Sequence, residues 1–267
     1  MKISLKTNFT GLLLRRYWEL LNVLVSRNLK VRYRGSFFGV YWSLLNPLLM
    51  TGLYSAILAQ RLHPITTIQS STIYWQLYRT GGDQFFSAST SQALSSIVNN
   101  GSLLNKISLP SSVFPVSIIT SNVFQFSVGV LPVLAVITFI YSQSLVNVLA
   151  LFFPFLALVL VSTGVGFLVS GLYVFFRDLP YFYELVVFVI WLSSPIFYPA
   201  AIVPPHIKQF LVLNPLSPII ESLRQITLSG TSADLGLIWG ALLSGMIILS
   251  LGWACFHLWR DQFMDLL

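Results

Sequence analysis

Arg79 and Asp83 stand four residues apart in the stretch "YWQLYRTGGDQFF", a spacing that would put both on one helix face as an ion pair. Charges placed like this in a membrane face protein or a water-filled path rather than lipid. The other residues capable of chemistry are scattered. His63, His206 and His257 fall in separate segments and form no metal-binding set. Cys255 is the single cysteine, lies in an apolar run and reads as a small hydrophobe. There is no "GxxxxGK" phosphate loop, and no serine stands in a nucleophile-elbow context. The "TGVG" at 163–166 reads as a place where helices approach closely. The chain is therefore expected to hold no catalytic, cofactor-binding or metal-binding residue. If it moves something uphill, the energy comes from a partner that hydrolyses nucleotide or from an ion gradient. Asp83 is the one clear acidic candidate for gradient coupling, and its pairing with Arg79 weighs against that reading.

The elements that would position these residues are dictated by composition. Of 267 residues, 55% are hydrophobic and only 9% charged, and the mean hydropathy is +0.79. An ordinary soluble domain carries about 25% charge, and several apolar runs here reach bilayer-spanning length. This places the chain among all-α integral membrane proteins. Six spans are expected, over 37–59, 71–98, 113–140, 145–175, 183–198 and 235–259. Asn46 and Pro47 interrupt the first, and the second is the most polar. Before them, residues 8–30 predict an amphipathic helix. Leu13, Tyr17, Leu20, Leu21 and Leu24 share one face, opposite Arg15, Glu19, Asn22, Ser26 and Lys30. It is expected to lie in the membrane interface, apolar face down and arginines toward lipid phosphate. The same face would also suit a helix packed on protein. No cleavable leader is expected, because Arg15, Arg16 and Glu19 break the first apolar stretch.

The net charge of +7 does not point to nucleic acid, because eight of the 15 Lys and Arg precede residue 35, next to hydrophobic sequence. With both termini cytoplasmic, eleven basic residues fall inside, among them Arg15, Arg16, Arg27, Lys30, Arg32, Arg34, Lys106, Arg177 and Arg260. Only Arg61, Lys208 and Arg224 fall outside, so the basic asymmetry favours this orientation. Arg27 to Arg34 then mark the cytoplasmic lipid boundary, and Gly35 ends the turn before the chain enters hydrocarbon. Residues 200–228 read as short helices folded back at the outer surface, separated by Pro215 and Pro218.

Four blocks carry a resemblance over nearly the whole chain. They are "LKVRYRGSFFGVYWSLLNPLL", "SIVNNGSLLNKISLPSSVFP" (96–115), "FFRDLPYFYELVVFVIWLSSPIFYP" (175–199) and "LVLNPLSPIIESLRQ" (211–225). In order and spacing they resemble the permease subunits of ABC-2 type exporters for bacterial O antigen, capsular polysaccharide and teichoic acid. The "ISLP" at 107–110 departs mildly from the family pattern, as does the polar start of the second span. The resemblance implies a single ABC-2 type transmembrane domain over 1–267, in the bacterial cytoplasmic membrane. It implies two copies forming a channel and two separate ATPase subunits beneath them, which hold ATP and Mg. The substrate implied is a lipid-linked polysaccharide, usually on undecaprenyl diphosphate. The 100–110 segment becomes the cytoplasmic coupling element, with Leu103, Leu104, Lys106 and Ile107 as its contacts and Asn100 or Ser102 as a helix cap. Tyr41, Trp42, Trp75, Phe197 and Tyr198 become path aromatics, since ring faces pack on sugar faces. An ABC-2 exporter of a drug or small lipid, a gradient-driven carrier and a passive membrane scaffold remain the alternatives.

Overall fold

A computed structural model describes residues 4–42, 45, 48–49, 53, 81–104, 109–193, 214–228 and 234–266. Among these residues the fold is entirely helical, with no strand. The helices are α1 (Ser4–Tyr33), α2 (81–94), α3 (Gly101–Leu104), α4 (Val113–Gly129), α5 (Leu131–Ser142), α6 (Leu145–Ala150), α7 (Phe152–Phe175), α8 (Leu179–Ser193), α9 (Ser217–Leu228), α10 (Leu235–Trp259) and α11 (Phe263–Leu266). Trp42, Leu45, Leu48, Leu49 and Leu53 are also helical. Most of the first expected span and the first ten residues of the second lie outside the described residues, as do 200–213 of the outer segment.

Two helical stretches, Leu145–Phe175 and Leu235–Gln262, are long and apolar enough to cross a membrane. A third qualifies if α4 and α5 count as one span bent by 40°. Pro132, in the first turn of α5, accounts for the bend, because it has no N–H to continue the ladder of α4. The turn after α5 is as short as "YSQS" predicts. Gln143 takes the left-handed conformation (φ 51°), its N–H bonds to the Phe139 carbonyl, and α6 starts two residues later.

The directions of the helices follow from who meets whom. A β-carbon on Gly245 would touch Ala157, one on Gly252 would strike Gly164, and one on Gly171 would touch Trp259. Contacts therefore advance together along α7 and α10, and the two run parallel. Small residues recur every seven positions at 157, 164 and 171 on one helix and at 245 and 252 on the other. That period keeps one seam facing its partner. At the centre of the seam a β-carbon on Gly252 would lie 2.0 Å from the Gly164 carbonyl oxygen. Only glycine fits there, which is the close approach that "TGVG" predicts. A parallel pair requires the chain to return to the starting end between α7 and α10. Helix α8 begins that return antiparallel to α7: Tyr183 packs with Val169, and Val187 packs in the same cluster with Val165. Its far end meets Asn214, whose side-chain amide donates to the Ile190 carbonyl at 3.2 Å.

The bundle thus has two ends. At one, Leu216, Ile219, Ile220 and Ile226 of the α9 region pack with Leu134, Ile137, Ala150, Leu151, Ile238 and Ala241. At the other, Leu21, Leu24, Ile97, Leu104, Val113, Phe114, Phe167, Val174, Phe256 and Phe263 form a second core. The described basic residues of α1, together with Arg177 and Arg260, belong to this second end or to the α1–α4 junction that rises from it.

Helix α1 differs from the expectation that its apolar face rests on lipid. Leu21 and Leu24 are buried in that second core, against protein. Further along, the Asn28 amide donates to Ser117 Oγ at 3.3 Å, and Arg32 reaches Asn122 and Gln125. So α1 advances beside α4 in the same direction. An apolar stripe has the same spacing whether lipid or a neighbouring helix covers it, so periodicity alone could not choose. The outward face of α1 still carries exposed Leu14, Trp18, Val23 and Val31 among exposed Arg15, Arg16 and Lys30.

Candidate functional site

The site begins where α1 ends. Gly35 (φ +76°) lies just past the last turn, and the Ser36 N–H bonds to the Tyr33 carbonyl at 3.0 Å. Gly39 (φ +51°) follows, its N–H held by Ser36 Oγ at 3.1 Å. These positive φ angles are available to glycine without the steric cost a β-carbon brings. They reverse the chain and leave Arg32 and Tyr33 on the last turn of α1, facing α2 and α4.

Arg32 is half-buried there. One terminal nitrogen donates to Asn122 Oδ1 at 2.7 Å and to Gln125 Oε1, and the other donates to Gln92 Oε1. The Asn122 amide also donates to Gln92 Oε1, at 3.2 Å. One guanidinium therefore ties three helices together through neutral amide oxygens. Burial pushes the Tyr33 phenol up, and the neighbouring Arg32 partly offsets this.

Beside this cluster lies a cavity of about 590 Å³, lined on its polar side by Arg32, Tyr33, Ser36, Gln84, Ser87 and Asn122. Trp42, Phe85, Phe126 and Val130 form much of its apolar side. Its mixed lining suits a ligand with a polar group and an apolar body. Phe37, Phe38, Tyr41 and Trp42 are all exposed around the same turn, with Phe38 edge-on to both Phe37 and Trp42. Such aromatic groups belong at a membrane–water boundary.

A second site lies at the basic end. The segment 98–104 is a 3-10 turn leading into α3, and the turn at Pro110 leads into α4 through a 3.0 Å bond from the Val113 N–H to the Pro110 carbonyl. Leu104, Leu109 and Pro110 share a cavity of about 380 Å³ with Trp253, Phe256, His257, Arg260, Asp261 and Phe263. These turns are thus built against the carboxyl-terminal end of α10, and His257 stacks on Trp253 at 5.2 Å.

The residues singled out by sequence separate accordingly. Arg32 departs from the lipid boundary expected of it and joins the protein-bound cluster, because polar side chains on α2 and α4 meet it. Arg27 stays exposed but donates to Asn100 Oδ1 at 3.1 Å, while Arg15 pairs only with exposed Glu19 at 2.9 Å. Arg16, Lys30 and Arg34 are exposed. Leu104, expected to touch a partner, is 4% exposed and belongs to the core. Its neighbour Ser102 is exposed, and Leu103 is half-buried against the edge of the same core. Asn100 does not use its side chain as a cap: it donates to the Ser96 carbonyl at 2.7 Å. Asp83 is half-buried on α2, but Arg79 lies outside the described residues, as do Lys106, Ile107, Trp75, Phe197 and Tyr198. Tyr41 and Trp42 are exposed, and of the two only Trp42 lines the larger cavity. Gln92, Asn122 and Gln125 escaped sequence reasoning. Asn122 and Gln125 are an amide pair three residues apart, but Ser117, Thr120, Ser121 and Ser127 share the same stretch, so the pair gives no distinct local signal.

The ABC-2 type transporter family matches residues 19–228, from within α1 to the end of α9. The chain belongs to that family. Two proteins of Klebsiella pneumoniae, each named O-antigen export system permease protein RfbA, are 28% identical to it over 186 residues. Each match covers 69% of this chain and 71% of the relative. As an ABC-2 transporter chain it is an integral membrane protein, and the matched region contains both the Arg32 cluster and the 100–110 segment.

Proposed function

We propose that this chain is the channel-forming subunit of an ATP-driven exporter of lipid-linked polysaccharide in the bacterial inner membrane. The observation that carries this reading is the similarity to the two O-antigen permeases over more than two thirds of the chain, within a family match. In this reading two copies form the path, and two separate ATPase subunits bind ATP and Mg and drive transport. The chain itself holds no catalytic residue. The cargo is an O antigen or related glycan on undecaprenyl diphosphate. Both termini are cytoplasmic, and the basic end of the bundle is the inner one. Force enters through the 100–110 segment, backed by the end of α10. Partner contacts come from Ser102, Leu103, Lys106 and Ile107, while Leu104 holds the turn in place.

Deletion of the gene, with complementation, tests the reading. The expected result is loss of surface glycan with lipid-linked glycan retained inside the cell, restored by the intact gene. Normal surface glycan in the deletion strain would remove the proposal. Export of a small lipid or drug by the reconstituted complex, without glycan export, would assign the alternative cargo. Orientation is tested separately with an impermeant thiol reagent after Cys255 is replaced. Cysteines at 143 and 208 are expected to label in intact cells and one at 177 only after lysis, and the reverse pattern inverts the topology.

A further inference from the structure

Among the described residues, Arg32 is a cation held by neutral groups alone. Three of the five N–H donors of a guanidinium are engaged, by Asn122, Gln125 and Gln92. No ion pair to Arg32 occurs among the described residues, where the exposed carboxylates of Glu19 and Asp261 pair with Arg15 and Arg260. Asp83 lies on α2 but does not line the cavity. Amide oxygens orient a guanidinium without cancelling its charge. A half-buried cation with no counter-charge among the described residues is costly, and such groups in membrane proteins mark ligand or ion paths. The two N–H groups left over are enough for a bidentate grip on an oxyanion.

The surroundings narrow the ligand. The cavity offers the Ser36 and Ser87 hydroxyls and the Gln84 amide beside Arg32, and Trp42, Phe85, Phe126 and Val130 on its apolar side. Exposed Phe37, Phe38 and Tyr41 stand at the same turn, as aromatic residues do at the head-group level of a bilayer. A free soluble anion would need only the cation and hydroxyls. The apolar and aromatic wall asks for a chain attached to the anion.

We propose that Arg32 and the adjoining cavity bind the phosphate-bearing head group of a lipid, with Gln92, Asn122 and Gln125 acting as positioning residues that aim the guanidinium. That this lipid is the exported cargo, rather than a resident phospholipid, rests on the function proposed above. The head-group chemistry is the same for both. Binding also explains why the clamp is built from amides: carboxylates in their place would neutralise Arg32 and repel phosphate.

The test uses the full chain in nanodiscs of zwitterionic lipid, with equilibrium binding and native mass spectrometry as readouts. The probes are a polyprenyl diphosphate, the matching neutral polyprenol, phosphatidylglycerol and inorganic pyrophosphate. The diphosphate lipid is expected to bind at least about tenfold tighter than the polyprenol, the scale of a charge-assisted contact. R32Q should lose about that factor, and R32K should keep part of it. R32Q also removes three interhelical bonds, so the deciding variants are Q84E and Q84K. Gln84 lines the cavity outside the Arg32 bonds, so opposite charges there should weaken and strengthen diphosphate binding respectively. Displacement by phosphatidylglycerol assigns the site to bulk lipid, and its failure to displace assigns it to a diphosphate-bearing cargo; both sustain the proposal. Equal binding of the polyprenol, or affinities unmoved by Q84E and Q84K, overturns it. Pyrophosphate binding as tightly as its lipid overturns the lipid assignment. The measurement involves no transport, so a chain that binds the head group but exports no glycan keeps this inference and loses only the function above.

Discussion

Where α7 meets α10, two backbones touch: Gly164 and Gly252 leave no room for a β-carbon, and the seam on either side is apolar. Where α1 meets α2 and α4, the helices stand far enough apart for a guanidinium and three amides to fit between them, with an open cavity alongside. The first contact relies on dispersion across a dry surface, which has one good geometry and fails abruptly when it is filled. The second relies on side-chain hydrogen bonds, each worth only about 1 kcal/mol net and able to exchange partners. A transporter needs both kinds of contact. The parallel α7–α10 pair is suited to stay fixed, and the α1 junction is suited to receive a ligand or to shift.

The largest expected effect is at the seam. G252V places carbon atoms against the Gly164 carbonyl, where a β-carbon would already lie 2.0 Å away. Because the obstacle is backbone, the cost should exceed the roughly 1–3 kcal/mol of ordinary overpacking. Size-exclusion profiles in detergent should show loss of the monodisperse peak. G240V, at a position with nothing within 4 Å of a β-carbon, should leave that peak intact and serves as the control. A well-folded G252V protein would break the contrast between the two regions.

Next in size is L104D. It buries a carboxyl in the core shared by α1, α4 and α10, and should cost about 3 kcal/mol or more, seen as a fall in the thermal unfolding midpoint. L103D, at a half-buried position packed against the edge of the same core, should lower the midpoint by less than L104D does and lower ATPase stimulation in the proposed complex. Equal midpoints for both variants would show that the turn is not anchored through Leu104.

The Arg32 junction should respond more mildly and jointly. Q92L and R32Q are each expected to destabilise by about 1–2 kcal/mol. A double-mutant cycle should give a coupling energy of roughly 1 kcal/mol, because the two side chains share one bond. Strict additivity would mean that the amides do not hold the arginine. The smallest effect belongs to E19Q, which removes only an exposed ion pair with Arg15. It should change stability by less than about 0.5 kcal/mol. A larger loss would show that the amino-terminal part of α1 carries more of the fold than its exposure suggests.

The Arg32 cluster shows where sequence reading stopped. Asn122 and Gln125 are ordinary polar residues in a permissive pattern, and Gln92 sits in a serine-rich stretch with no apolar contrast. Nothing local says that three helices bring them to one point. The turn at 101–104 shows the same limit at closer range: "GSLL" marks a short helix, but which leucine is buried more deeply depends on where α1 and α10 stand. By contrast, the "TGVG" glycines and the "YSQS" turn were readable, because each is a local demand of the backbone for a small residue or a short loop.

Composition and run length, on their own, determined that this is an all-helical membrane chain. Water and hydrocarbon sort residues by type and length alone, and that sorting needs no partner. The order and spacing of four motifs placed it beside the ABC-2 exporters, because such motifs are one-dimensional. The side of α1 that is covered by protein, the inward turn of Leu104 and the meeting of Arg32 with Gln92, Asn122 and Gln125 were decided only by the tertiary structure. Each depends on contacts between residues 60 to more than 90 positions apart in the chain, and the spacing of one helix carries no information about the face of another.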